Sequence, residues 1–218
     1  QAVERTYWWT HRFLKTHSRK KQLVFGITQG SIFSDLRKKS SEMLASQDVD
    51  GYAIGGLAFG ESKEDMDKMI ALSLSILPED KPRYKMGLGT PLDILHSVAM
   101  GIDIFDSRFP SMNARHGRLF TREGLIDVRK GKWRFDLGPI DPHCKCATCK
   151  SHTKSFIKHL FSADERIAEY YCTIHNIYFV QQLLEEIQDA IKANKFDEYK
   201  EEFEKSWKGR EAEGIHSS

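Results

Sequence analysis

Short apolar runs alternate with longer amphipathic stretches through the first hundred residues of the chain. The apolar runs, bounded by glycine, proline and polar residues, predict four β-strands, at 22–28, 50–56, 83–89 and 102–106. The amphipathic stretches predict helices at 1–20, 34–47, 62–77 and 91–100. This alternation predicts parallel strands joined by right-handed crossovers, so the expected fold class is α/β.

The spacing of apolar residues also predicts which side of two helices faces the core. The inward face of the first helix is expected to carry Val3, Tyr7, Trp8, His11, Phe13 and Leu14. The inward face of the second is expected to carry Leu36, Met43 and Leu44. In the last strand, Ile102 and Ile104 suit buried positions.

The predicted strands end in residues that suit a binding site: Gln29-Gly30, Gly55-Gly56, Gly87 with Gly89, and Asp106. Because ligands bind at the carboxyl ends of parallel strands, we expect these residues to converge on one site. Glycines let a flat ligand approach the backbone closely, although tight turns would explain any one of them. Asp106 would lie at the mouth of the sheet or barrel; alternatively, it caps a helix or pairs with Arg108.

The pattern changes after residue 107. A hairpin is predicted at 118–128 with its turn at Glu123-Gly124, followed by an extended piece at 132–135. Helices are predicted at 153–171, 175–194 and 196–208, the last with Phe203 and Trp207 on its inner face. A (β/α)8 barrel needs eight strands in about 250 residues, so either the sheet is open or the first half of a barrel is absent.

Charge is distributed unevenly. The net charge of +2 by itself does not indicate a polyanionic partner. Between Arg108 and Lys158, however, twelve lysines and arginines face four acidic residues. Such clustering favours contact with a phosphate backbone over a basic loop that arises by chance. A carboxylate beside these residues indicates chemistry on a substrate that carries phosphate.

The cysteines indicate the compartment. Three of the four lie within six residues, unlike the spread of an extracellular disulfide framework, so we expect a reducing, cytoplasmic setting. No apolar run approaches the roughly 18 residues of a membrane span, and no secretory signal opens the chain. Gln1 rather than methionine stands first, so the natural start is expected upstream.

A Cys-x-Cys-x-x-Cys motif at Cys144, Cys146 and Cys149 indicates tetrahedral Zn²⁺ rather than a redox role. The fourth ligand could be His152, His159, Cys172 or His175, and spacing alone favours His152. A site filled by four protein ligands would be closed, and therefore structural rather than catalytic.

Together these pieces resemble the tRNA-guanine transglycosylase family, the queuine or prequeuosine tRNA-ribosyltransferases. The matching segments are 25–30 (FGITQG), 51–58 (GYAIGGLA), 60–61 (GE), 84–91 (YKMGLGTP), 101–106 (GIDIFD), 113–115 (NAR) and 141–142 (DP). The resemblance runs from about residue 1 to 200 and implies the C-terminal half of a (β/α)8 TIM barrel at 1–117. It further implies an inserted or appended zinc-binding subdomain with packed helices at 118–208, and a frayed tail at 209–218.

The resemblance implies a pentosyltransferase that exchanges guanine at the anticodon wobble position of tRNA for a 7-deazaguanine base. Asp106 would be the nucleophile that forms a covalent glycosyl intermediate. The heterocycle would contact Gln29, Gly56, Leu57 and Ala58, with Met86 and Gly87 walling its slot. The anticodon loop would lie on Arg108, Arg115, Arg118, Lys130 and Lys132. A structural zinc ion is assigned to Cys144, Cys146, Cys149 and His175, which leaves Cys172 a buried free thiol.

Three departures from the family pattern bear on substrate choice. Ser111-Met112 follows Pro110 where the family has Thr-Arg, which keeps open a relative that modifies DNA. Phe59 is bulky and favours a small incoming base, 7-aminomethyl- or 7-cyano-7-deazaguanine, over queuine. The other site aspartates of the family belong to its N-terminal half, which we expect to come from missing sequence of the same polypeptide or from a separate chain. As partners we expect a homodimer or a heteromer with a chain that supplies that half. A non-catalytic partner subunit that binds tRNA is a further alternative.

Overall fold

The computed structural model of the chain describes residues 1–19, 21–57, 60–87 and 89–207. The expectations for Ala58, Phe59 and the tail at 209–218 lie outside these residues. The chain divides into two compact units, a first unit at Gln1–Ser107 and a second unit that begins at Arg108. Within the described residues, no helix combines the length and apolarity that crossing a membrane requires.

The first unit is a parallel sheet with connecting helices. Its described strands are β1 (Phe25–Thr28), β2 (Gly51–Ile54), β3 (Arg83–Lys85) and β4 (Ile104–Phe105). Its described helices are α1 (Ala2–Thr16), α2 (Ser34–Ala45), α3 (Lys63–Leu74) and α4 (Pro91–Ala99). All pairings are parallel and the strand order is β1-β2-β3-β4. The predicted α/β class with a parallel sheet is therefore confirmed.

Local sequence explains where the helices begin. Thr90 and Asp93 form a reciprocal capping box at α4, and Pro91 occupies its first position. The Ser62 side chain accepts a hydrogen bond from the Asp65 amide at the start of α3. The core of this unit joins strand and helix residues, among them Val24, Tyr52, Ile54, Ile70 and Ile102.

Several side chains that were expected in the core are exposed. Ile104 is 40 % exposed, because β4 is the last strand of the described sheet and pairs there only with β3. Trp8 and Phe13 on α1 are 57 % and 54 % exposed, and Leu36 on α2 is exposed as well. The predicted helical spacing is correct in these elements. The stripe of apolar side chains is, however, wider than the part of each helix that other elements of the first unit cover.

The second unit combines a hairpin with helices. Its described elements are α5 (Phe109–Arg115), β5 (Arg118–Thr121), β6 (Gly124–Asp127), a 3₁₀ turn (Gly131–Trp133), α6 (Ala147–Ser151), α7 (Lys154–Ser162), α8 (Ile167–Lys192) and α9 (Phe196–Trp207). A core that includes Leu119, Val128, Ile140, Ile157 and Cys172 joins the hairpin to α7 and α8. Phe203 and Trp207 on α9 are buried, as predicted.

The structure corrects the predicted hairpin and its neighbours. Thr121 pairs with Gly124, so the two turn residues are Arg122 and Glu123 rather than Glu123-Gly124. The piece at 132–135 is not extended, since a 3₁₀ turn covers Gly131–Trp133. Helix α5, for which no element was predicted, carries Pro110 in its first turn, a position that tolerates proline.

The break between the two long helices also lies elsewhere than predicted. It falls at 163–166, where Asp164 adopts a left-handed backbone conformation with φ of 56°. The Glu165 amide donates to the Leu160 carbonyl and closes the end of α7. Helix α8 then runs unbroken through 172–175, so His175 lies inside this helix and not at its start.

Candidate active site and metal centre

The Asp106 carboxylate lies directly after β4 and is held by hydrogen bonds from residues at the end of β3. Its Oδ1 accepts a hydrogen bond from the Tyr84 hydroxyl at 2.7 Å and another from the Gly87 amide at 3.0 Å. The Gly87 backbone has φ of +71°, a conformation that glycine adopts without strain. The carboxylate is exposed and its position is fixed, so it can meet a ligand without first rearranging.

Tyr84 acts as a hydrogen-bond donor in this pair. Partial burial, followed by the hydrogen bond and the negative charge of Asp106, raises the pKa of Tyr84 to about 12. The phenol therefore keeps its proton at neutral pH. Its place on the sheet explains the contact, because Tyr84 pairs with Ile104 and Asp106 lies two residues further along the same face.

The ends of β1 and β2 meet around Arg37, a fully buried side chain of α2. Its guanidinium donates to the carbonyls of Gly55 and Ser31, both at 2.8 Å. Burial lowers the pKa of Arg37 to about 10, and the negative charge of Glu61 opposes the shift. Arg37 therefore holds together the two loops that follow these strands.

The close approach of the loop after β2 to the Gln29 side chain requires glycine at position 56. Gly56 has φ of +70°, and a Cβ there would lie 2.7 Å from Oε1 of Gln29. Met86, which follows β3, is 39 % exposed, whereas the Leu57 side chain is buried in the core of the first unit. Any contact of Leu57 with a ligand would therefore come from its backbone.

Arg37→Lys should lower the free energy of unfolding by about 1–3 kcal/mol, because a lysine ammonium keeps the buried charge but cannot bond both carbonyls in the same fork. Urea denaturation followed by circular dichroism measures the change. The exposed neighbour offers the control, since Lys38→Arg should shift the free energy by less than about 0.5 kcal/mol. Equal stabilities of the two variants would contradict the role given to Arg37.

The second unit brings three thiols and an imidazole together. The ligand atoms of Cys144, Cys146, Cys149 and His175, the metal cluster, all lie within 4.8 Å of one another. Sulfur atoms bound to one tetrahedral zinc ion stand about 3.8 Å apart, given Zn–S bonds of about 2.3 Å. The donor set and its spacing therefore fit a four-coordinate ion.

Neighbouring groups position the thiols. The buried Asp141 carboxylate accepts hydrogen bonds from the amides of Arg122 and His143, both at 2.8 Å. The backbone carbonyl of Asp141 accepts a hydrogen bond from the Cys144 amide. Cys146 caps α6, since its Sγ accepts from the Cys149 amide at 3.3 Å. Hydrogen bonds from the neighbouring thiols lower the pKa of Cys146, which favours the thiolate that a metal requires.

The imidazole of His175 has a fixed orientation. Its Nε2 lies 2.7 Å from the Phe120 carbonyl, and its Nδ1 lies 3.3 Å from the Cys149 sulfur. A proton on Nε2 leaves Nδ1 as the ligand atom, the usual arrangement of a metal-binding histidine with an outer carbonyl partner. The adjacent Asn176 bonds the Phe120 amide and the carbonyls of Pro110 and Arg118, so α8 also fixes α5 and the hairpin.

The other candidates for the fourth ligand lie outside the cluster. His152 packs against the rings of Phe156 and Tyr171, so the choice that spacing alone favours is wrong. His159 is exposed on α7. Cys172 is a buried free thiol, and burial, with a smaller effect of the nearby Glu169 charge, raises its pKa to about 12.

The basic residues of the second unit include three that pair with acidic side chains and five that are expected to bind RNA. Arg122 forms a bidentate pair with Glu186, Arg129 pairs with Asp127, and Lys154 pairs with Asp136. The residues expected to bind RNA are exposed or half-buried: Arg108, Arg115, Arg118, Lys130 and Lys132. The ammonium of Lys132 lies 4.7 Å from the centre of the Trp133 ring.

Comparison with known proteins gives the family. A family model described as queuine tRNA-ribosyltransferase matches residues 1–209. The chain belongs to this family. Among curated queuine tRNA-ribosyltransferases, one from Clostridium botulinum strain Hall is 47 % identical and one from Clostridium acetobutylicum is 44 % identical, each over 96 % of this chain. The chain spans 58 % of the length of each of these queuine tRNA-ribosyltransferases.

Sequence reasoning missed Tyr84 and Arg37 as site residues. For Tyr84, the two-residue period of strands gives the side of β3 on which it lies, but only the pairing of Tyr84 with Ile104 puts it on the same face as Asp106, which follows β4. Arg37 carried no such signal, since an arginine in an amphipathic helix is ordinarily solvated.

Proposed function

We propose that this chain is the catalytic C-terminal part of a tRNA-guanine transglycosylase, which exchanges guanine at the anticodon wobble position for a 7-deazaguanine base. The observation that carries the proposal is the exposed Asp106 carboxylate, whose Oδ1 is held by Tyr84 and Gly87 in a chain of the queuine tRNA-ribosyltransferase family. The names of the curated relatives support tRNA as the substrate.

Two displacements at one carbon account for the exchange. Asp106 attacks C1′ of the ribose from the face opposite guanine and forms a covalent glycosyl ester as guanine leaves. The incoming base then attacks from the side that guanine vacated, so the configuration at C1′ is retained. The wobble nucleotide must turn out of its stack to reach an exposed carboxylate at the edge of a sheet.

The base would lie along the strand ends, in a base slot formed by Gln29, Gly56, Leu57, Ala58, Met86 and Gly87. The lack of a side chain at Gly56 supports this position, because a flat heterocycle could approach the backbone beside the Gln29 amide. The exposed Met86 side chain could cover one face of the ring. A small base, 7-aminomethyl- or 7-cyano-7-deazaguanine, remains our proposal for the incoming substrate.

The metal cluster would hold a structural Zn²⁺ ion. Three thiolates and one imidazole fill a tetrahedral shell and leave no position for substrate, so the ion would stabilise the second unit rather than take part in catalysis. Its ligands join the loop before α6, α6 itself and α8. The reduced thiolates and a tRNA substrate together support a cytoplasmic location.

The anticodon loop would contact the basic residues Arg108, Arg115, Arg118, Lys130 and Lys132, which are exposed or half-buried. Contacts of this kind neutralise phosphates, so binding should weaken as the salt concentration rises. Phosphate contacts position a nucleic acid without reading its sequence. Selection of the wobble base would then depend on the base slot.

The parallel sheet of the first unit would belong to half of a (β/α)8 barrel at 1–117, and residues 118–208 would form a zinc-binding subdomain. The exposed apolar side chains around β1, α1 and α2 support this proposal, among them Trp8, Phe13, Leu23, Phe33 and Leu36. Apolar surface of this extent is usually covered in a native protein. A further barrel half, in the same polypeptide or in a partner chain of a dimer or heteromer, would cover it.

Exchange of labelled guanine into tRNA tests the proposed function. The purified protein, in its natural assembly, should incorporate [8-¹⁴C]guanine into unmodified tRNA with guanine at the wobble position. The same tRNA with adenine there is the matched control and should take up no label. Incorporation of the label into duplex or single-stranded DNA in place of tRNA would favour the DNA-modifying relative. The presence of Met112 in place of an arginine keeps this alternative open. No exchange into either nucleic acid would refute the proposal.

A further inference from the structure

The two oxygens of the Asp106 carboxylate have different surroundings. The hydroxyl of Tyr84 and the amide of Gly87 both donate to Oδ1, at 2.7 and 3.0 Å. No donor among the described residues bonds Oδ2. Because a carboxylate oxygen that accepts two hydrogen bonds is the weaker nucleophile, Oδ2 is the oxygen that should attack C1′.

We propose that Tyr84 is a positioning residue that reserves Oδ2 of Asp106 for attack and sets the lifetime of the covalent glycosyl intermediate. This inference rests on the proposed function and deepens it. It assigns a role to a residue whose place in the site only the geometry of the β3–β4 pair shows.

The sheet fixes Tyr84 in this position. Its two neighbours on β3 point to the opposite face and are buried there. Arg83 donates to the carbonyls of Leu77 and Pro78, and the Lys85 ammonium lies 3.4 Å from the Ser97 hydroxyl. These anchors hold the strand against the helices behind it, so the phenol is presented to Asp106 without adjustment.

The bonds made and broken in the exchange show where Tyr84 acts. In the first step, the bond from Oδ2 to C1′ forms while the bond from C1′ to N9 of guanine breaks, and guanine takes up a proton. In the second step, the incoming base gives up its N9 proton and bonds C1′. The electron pair of the C1′–Oδ2 bond then returns to Asp106. No proton is consumed overall, and the carboxylate is nucleophile in one step and leaving group in the other.

A donor on Oδ1 affects these steps in opposite directions. It stabilises the carboxylate, so it does not assist the attack, in which negative charge is lost. It assists the second step, in which negative charge returns to the carboxylate in the transition state. Removing the donor should therefore slow resolution of the intermediate while leaving its formation unchanged or slightly faster.

The Tyr84→Phe variant tests this division. Guanine release and incorporation of the 7-deazaguanine base are followed in single turnovers with end-labelled tRNA, and the covalent protein–RNA adduct is measured on denaturing gels. Loss of one hydrogen bond to a charged group should slow resolution about tenfold, with guanine release changed less than about twofold. The adduct should accumulate accordingly. Tyr170→Phe, which removes the hydroxyl of an exposed tyrosine on α8, should match the wild type.

The ratio of the two rates distinguishes a specific effect of Tyr84→Phe from a loss of activity caused by partial misfolding. A misfolded fraction lowers the amplitude of both steps together and leaves their ratio unchanged. Equal slowing of both steps, or unchanged resolution, would overturn the role given to Tyr84 while leaving the proposed function intact. Absence of any adduct and of exchange in the wild type would instead refute the proposed function, and this inference with it.

Discussion

Asp106→Asn should abolish the covalent RNA adduct and lower guanine exchange by about 10⁴-fold or more, as removal of a nucleophile does in other covalent enzymes. An amide has the shape of the carboxylate but is a very poor nucleophile toward C1′. Its Oδ1 can still accept from Tyr84 and Gly87, so the local structure should be preserved. Labelled-guanine exchange and adduct formation on denaturing gels measure the effect, and filter binding should show an affinity for tRNA within about threefold of the wild type.

The chain contains a matched control three residues earlier. Asp103 accepts a hydrogen bond from the Arg83 amide through Oδ2 at 2.8 Å, so its carboxylate is structural. Asp103→Asn should change exchange by no more than a few-fold, because an amide oxygen can also accept that bond. Unchanged exchange in Asp106→Asn would exclude Asp106 as the nucleophile and would favour the non-catalytic partner subunit.

The second large effect is expected at the metal cluster. His175→Ala should release the metal and unfold much of the second unit, because a structural zinc site can contribute about 10 kcal/mol while a whole domain has a net stability of about 5–15 kcal/mol. The change also removes the hydrogen-bond partner of the Phe120 carbonyl, and it leaves a cavity where the buried imidazole packs beside α8. Metal content by mass spectrometry and thermal unfolding by circular dichroism measure the outcome.

His152→Ala is the control for His175→Ala. His152 packs on Phe156 and Tyr171 outside the cluster, so its loss should leave the metal content unchanged and lower the unfolding midpoint only modestly. A chelator applied to the wild type should reproduce the unfolding seen in His175→Ala. Retention of a full equivalent of metal by His175→Ala would show that His175 is not a ligand.

The order of strands and helices in the first unit could be predicted because each strand is a short apolar run between turn residues. The burial of individual side chains could not. Ile104 and Trp8 are apolar at positions that suit a core, but burial depends on whether another element covers the same face. The sequence of one segment does not contain that information.

The break between α7 and α8 shows a different limit. The residues at 172–174 include Thr173 and Ile174, whose β-branched side chains disfavour a helix locally. Ala168, Cys172, His175 and Phe179 are nevertheless all buried on one stripe, and packing of this stripe overrides the local preference. The true break, at Asp164, lacks the glycine or proline that would have marked it.

The candidate site was predictable where single residues carry distinctive chemistry. The strand-end glycines, Asp106 and the three clustered cysteines belong to this class. Tyr84 and Arg37 act through partners on another element, so their roles depend on strand register and on the packing of α2. The choice of His175 over His152 likewise depends on how α8 lies beside α6, since the nearer histidine in the sequence is the one outside the cluster.

The strand order of the first unit bears on how the chain is synthesised. Among the described strands, β2, β3 and β4 each pair with the strand that precedes them in the chain, so this sheet can grow by one strand at a time as the chain leaves the ribosome. The glycine-containing ends of β1, β2 and β3 are in place before β4 is added. Asp106 follows that last strand, two residues before the second unit begins. In a nascent chain, the proposed nucleophile would thus be the last of these strand-end residues to be put in place, when the ends of β1, β2 and β3 have already formed.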